Sequence, residues 1–165
     1  MPALKKISPT GIERALEKVD RYRLLNEPGD AESICLDILE VDPQNQRALV
    51  ALLLSRTDQF QHGRGAVAGA REVLPQLASE YHRAYYAGII CERWARARHA
   101  RGAPGAPATV YHWLREAMDW YEKAEALRPA GNDDPLLRWN ACARHLERHP
   151  ELKPETEDRA EAMLE

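Results

Sequence analysis

Cys142, His145 and His149 stand at i, i+3 and i+7, a spacing that strings a thiol and two imidazoles along one helix. These are zinc-type donors, but a single helix rarely closes a metal site. No second ligand pair accompanies them, and no metal is expected. A second chemistry-bearing stretch carries Arg83, Arg93, Arg96, Arg98 and Arg101 interleaved with Tyr81, Tyr85, Tyr86 and Trp94. Cationic and stacking groups together suit RNA. On a helix, however, these arginines spread around the axis, while Ala84, Ala87, Gly88, Cys91 and Ala95 form a small-residue stripe. The stripe predicts a close-packed core helix whose basic end complements the partial negative charge of its C-terminus. Tyr111, His112 and Trp113 are adjacent, but consecutive helical residues face different directions and make no catalytic cluster. No GxGxxG, Walker loop, HExxH or GxSxG occurs, so a non-enzyme without a cofactor is expected.

Such groups need a scaffold, and the composition bounds it. The 165 residues suffice for one domain with a core that requires no disulfide or metal staple. Hydrophobic residues at 44% and charged residues at 30% exclude a chain that is disordered as a whole. With 23 Lys and Arg against 26 Asp and Glu, the net charge of −3 gives no global attraction to nucleic acid or anionic membrane.

Cys35, Cys91 and Cys142 are far apart and set among apolar helical residues, which reads as small buried hydrophobes in a reducing compartment. Lys5 and Lys6 are not followed by the apolar run of a signal peptide, and the longest apolar stretch, 48–54, is too short to span a membrane. A cytoplasmic protein is expected.

Helical periodicity is widespread and alternating strand patterns are nearly absent, so the chain reads as all-α. The expected helices are 11–26 (Thr10 as N-cap, ended by Pro28 and Gly29), 30–41 (capped by Asp30), 45–60, 66–78, 80–101, 108–128 (from Ala108 or capped by Thr109) and 134–149 (Asp134 as N-cap, Pro135 in the first turn). The first six pair as hairpins. The seventh has no partner and is expected to cap the last pair with Trp139, Cys142 and Leu146, leaving Asn140 and Arg144 facing away. One domain is assigned to 1–150, followed by an acidic tail, 151–165.

Ala31, Cys35, Ile38 and Pro43 share their spacing with Ala117, Tyr121, Ala124 and Pro129. Ala66, Ala70, Val73 and Ala78 repeat it between them without the terminal proline. The first step, Ala31 to Ala66, is 35 residues, close to the roughly 34-residue period of a helix-turn-helix solenoid. The second step, to Ala117, is 51 residues, which places an insertion around 98–108. Small residues let paired helices approach, a large one fills the space between pairs, and proline ends the unit.

In these positions the sequence resembles the tetratricopeptide repeat family over about 11–149, although only Tyr22, Leu52-Leu53 and Ala87-Gly88 echo the aromatic and Leu-Gly positions of that family's first helices. The resemblance implies an α-α superhelix of stacked hairpins with a C-terminal capping helix. It also implies a non-enzymatic adaptor that binds a peptide or helix of another protein in a groove lined by the first, third, fifth and seventh helices. On that face the spacing places Glu13, Asp20, Arg47, Val50, Leu54, His82, Tyr85, Ile89, Arg93, Asn140 and Arg144. The carboxylate-gripping variant of the family is not expected, because the first helix offers Glu13, Glu17 and Asp20 on that side. Two alternatives remain: an oligomerising subunit of a larger complex, and RNA binding through the basic helix 81–101.

Overall fold

The computed structural model describes residues 1–155. Among them are seven α-helices and no strand: α1 (Ile12–Leu24), α2 (Pro28–Val41), α3 (Gln46–Asp58), α4 (Val67–Arg71), α5 (Glu80–Arg101), α6 (Ala106–Leu127) and α7 (Asp134–Arg148). None is long and apolar enough to cross a membrane.

Local chemistry sets the boundaries. A 3-10 turn, Pro9–Gly11, leads into α1, so Gly11 rather than Thr10 occupies the cap position. Asn26 adopts φ 59°, a left-handed residue that stops α1. Pro28 then opens α2 instead of merely closing α1, because its missing N–H costs nothing in a first turn. Asn45 caps α3 by accepting the Ala48 N–H at 2.9 Å. Ser79 caps α5 by accepting the His82 N–H at 3.3 Å. Asp133, not Asp134, takes the cap position of α7, with Pro135 in the first turn.

The fourth expected helix, 66–78, is largely replaced. α4 spans only five residues, and Pro75 sits in a separate 3-10 turn, Leu74–Gln76. The ring of Pro75 cannot donate the backbone bond that a continuous helix needs there. α6 begins at Ala106, so Thr109 lies inside its first turn, with its Oγ1 3.4 Å from the Gly105 carbonyl. In the third pair α5 and α6 are each 22 residues long, against 13 and 14 for α1 and α2.

Consecutive helices pack on one another, and α1 with α3 and α3 with α5 also touch. α5 and α6 run antiparallel, as the pairing of Trp94 with Trp113 and of Gly88 with Tyr121 requires. The repeated sequence positions are the buried ones: Ala31, Cys35, Ile38, Ala117, Tyr121 and Ala124 are fully buried. Pro43 and Pro129 each stand two residues beyond a helix end. In the middle copy Ala70 and Val73 are buried while Ala66 and Ala78 are exposed. One apolar cluster joins α1–α4 to Ile90 and Ala97 of α5, and a second lies among α5–α7, with Leu54 and Tyr86 packed against both. Leu152 is buried in the second cluster, so the start of the acidic segment belongs to the domain. The rest of that tail, 156–165, lies outside the described residues.

Candidate functional site

Three features stand out: an ion-paired face on the odd-numbered helices, a buried carboxylate beneath α7, and an apolar groove beside α6. On the first face, Asp58 of α3 lies between Arg23 of α1 and Arg93 of α5. Arg23 Nε donates to its carboxylate at 2.8 Å, Arg93 Nη1 donates to its other oxygen, and Arg93 also reaches Thr57 Oγ1 at 2.9 Å. Further along, Arg47 Nη1 donates to Glu13 at 2.8 Å.

The expected groove residues therefore do not form one free surface. Arg47 and Arg93 are engaged by carboxylates of neighbouring helices. Ile89 is buried in the second cluster, against which Leu54 and Tyr85 also pack. Tyr85 lies within 6 Å, centroid to centroid, of Tyr81, Tyr86 and Tyr121. His82 sits against Tyr86 at 5.8 Å. Asn140 and Arg144 are exposed on α7, Asn140 beside Glu122, Glu125 and Trp139. Trp139 and Leu146 pack on the second core cluster with fully buried Cys142, so these three positions form the inward face of α7.

The arginines of α5 are likewise committed internally. Arg83 donates to the Leu77 carbonyl at 2.6 Å, Arg101 to the Phe60 carbonyl at 2.7 Å, and Arg98 lies over the Trp94 ring at 5.6 Å.

Beneath α7, Glu92 is 1% exposed and has four donors: the Tyr121 hydroxyl at 2.7 Å, Arg138 Nε at 3.0 Å, Arg138 Nη2, and Arg96 Nε at 2.9 Å. Burial opposes its ionisation, but the hydrogen bonds from Arg138 and Tyr121 and the charges of Arg138 and Arg96 outweigh it and hold the carboxyl below its ordinary value. Burial, followed by the Glu92 charge, pushes the Tyr121 hydroxyl well up. With four donors converging on one carboxylate, this group is a structural anchor of α5, α6 and α7.

The cysteines are all buried, and desolvation pushes each thiol up to about 12, which removes them from nucleophilic chemistry near neutral pH. The expected line of Cys142, His145 and His149 is split: the thiol faces the core, and His99 of α5 joins the two imidazoles instead. Burial, with Arg96, His149 and His99 nearby, lowers His145 to about 4.

The groove runs between the Leu74–Gln76 turn, α5 and α6, and encloses about 830 Å³. Ala84 and Ala87 form its floor at 5% and 6% exposure, Leu74, Pro75, Trp120 and Leu127 form its walls, and Glu80, Arg83 and Lys123 stand at its rim. Lys123 Nζ lies 4.5 Å from the Trp120 ring centroid. The small residues of α5 that pack a helix pair thus also leave a trough next to it. Sequence spacing points to the opposite side of α5 and passes over Trp120 and Leu127, whose i, i+7 separation is the available signal. Comparison with models of protein families, with curated proteins and with solved structures finds no match to this chain.

Proposed function

We propose that this protein is a non-enzymatic interaction module, built like the stacked hairpins of tetratricopeptide repeats, that binds a peptide or helix of a partner protein. The observation that carries the reading is the open apolar groove beside α6. A trough with an alanine floor and Trp120 and Leu127 as walls suits the apolar side of an amphipathic helix, read as anchors at i, i+3 and i+4. Leu127 is 42% exposed, an unfilled apolar contact at the mouth of the groove. The packing of α1 on α3 and α3 on α5 supports a hairpin stack, and the ion pairs across those helices support a rigid one. The odd-helix face is less suited to a partner, since Arg47 and Arg93 are already paired there.

Selection of a displayed peptide library on the immobilised protein tests the reading. The expected winners carry apolar residues at helical spacing and lose binding to the Leu127→Glu variant. Winners that are uniformly charged, or that bind Leu127→Glu as well as the unaltered protein, would overturn it.

A further inference from the structure

His99 lies in the last turn of α5, His145 in the last turn of α7, and His149 just past its end. Two elements that are otherwise distant in sequence bring three imidazoles together. His99 Nδ1 and His145 Nε2 are 2.9 Å apart, the ring centroids are 4.5 to 5.1 Å apart, and one nitrogen from each ring lies within 4.8 Å of the others. Tetrahedral zinc with bonds of about 2.1 Å holds its nitrogens roughly 3.4 Å apart, a value inside the observed spread. All three side chains are half-buried, which leaves an entry path from solvent.

Glu151 supplies the outer partner. Its Oε1 lies 3.4 Å from His99 Nε2 and 3.2 Å from His149 Nδ1, the nitrogens that face away from the shared centre if His99 ligates through Nδ1 and His149 through Nε2. A carboxylate on the second nitrogen of a ligating imidazole fixes its tautomer and raises its basicity. Glu151 is held in place by the turn in which Leu152 N donates to the His149 carbonyl at 2.9 Å and by burial of the Leu152 side chain.

We propose that His99, His145 and His149, backed by Glu151, form a binding site for a divalent transition metal of the zinc class. Three neutral imidazoles are borderline-soft donors that select zinc, nickel, cobalt or copper over magnesium and calcium, which prefer all-oxygen shells. The ion would pin the C-terminal end of α7 to the last turn of α5. Arg96 places a cation beside the centre: its Nη1 is 3.5 Å from His145 Nδ1, while its Nε remains bonded to Glu92. Binding requires that Nη1 turn outward from His145.

Titration of the untagged 165-residue chain with zinc, using a chromophoric chelator as competitor, tests the site. One ion per chain is expected, with His99→Ala and His149→Ala each weakening binding at least 100-fold and Glu151→Gln weakening it about 10–100-fold. His112→Ala, an exposed histidine elsewhere on α6, is expected to bind as the unaltered protein does. Cobalt should give the intense visible absorption of a tetrahedral site, absent in His149→Ala. Helical circular dichroism checks that each variant folds, and His149→Ala, altered beyond the end of α7, serves if His99→Ala does not. Absence of stoichiometric binding by the unaltered protein, or binding that survives His149→Ala, would overturn the proposal.

Discussion

A Cβ on Gly88 would stand 2.5 Å from Cε1 of Tyr121, inside the envelope of a fully buried ring. The ring cannot retreat, because its hydroxyl is tied to Glu92 at 2.7 Å. Gly88→Ala is therefore expected to destabilise the protein by about 1–3 kcal/mol, as overpacking does. For a chain of this size that lowers the melting temperature by about 2–4 °C per kcal/mol, measurable by circular dichroism. Gly29→Ala, where nothing lies within 4 Å of the added carbon, should leave it unchanged or slightly raised.

The Glu92 cluster makes a sharper claim, because one carboxylate serves three helices. Glu92→Gln removes the charge while leaving Arg138 and Arg96 in place, and because both arginines reach solvent at 38% side-chain exposure the expected cost in urea unfolding is about 1–3 kcal/mol. Replacing both partners, Glu92→Met with Arg138→Met, should recover much of the loss.

The same carboxylate sets an acid limit. Its folded-state value is below the ordinary 4.5, so the unfolded chain takes up its proton first as pH falls. The stability it contributes is fully present above 4.5 and is lost as pH drops through the lower folded value. Chemical denaturation at a series of pH values should show an acid-side slope that flattens in Glu92→Gln.

Asp58 bridges two arginines, and its removal leaves two like charges facing each other between α1 and α5. Asp58→Ala should cost about 1–2 kcal/mol, whereas Glu13→Ala, which breaks the exposed pair with Arg47, should cost about 0.5 kcal/mol or less. Urea unfolding of both variants at low and high salt separates the two cases.

The all-helical character and the inward-facing positions of α2, α6 and α7 are legible in the sequence, because each depends on local periodicity and on side chains at fixed spacing. Ala31, Cys35 and Ile38, with their counterparts Ala117, Tyr121 and Ala124, stand out by spacing alone, since the closest approach of a helix pair demands small residues at fixed intervals. Only Pro75 foreshadows the truncation of the fourth helix. Nothing local marks His99 as a partner of His145 and His149: 46 residues separate it from the nearer one, and only the antiparallel return of α6 and the placement of α7 bring them together. The groove is hidden for a related reason. Ala84 and Ala87 read as packing residues, which they are, and a trough depends on what the neighbouring element fails to cover. The Leu74–Gln76 turn, shorter than the expected helix, leaves that side of α5 open.

The most direct measurement is the affinity of a selected apolar peptide for the unaltered protein, Leu127→Glu and Arg144→Ala, read by fluorescence anisotropy. Binding in the groove beside α6 requires that Leu127→Glu weaken affinity tenfold or more, about 1.4 kcal/mol, while Arg144→Ala stays within about twofold. Affinity unchanged in Leu127→Glu and lost in Arg144→Ala would contradict it and place the partner on α7 instead.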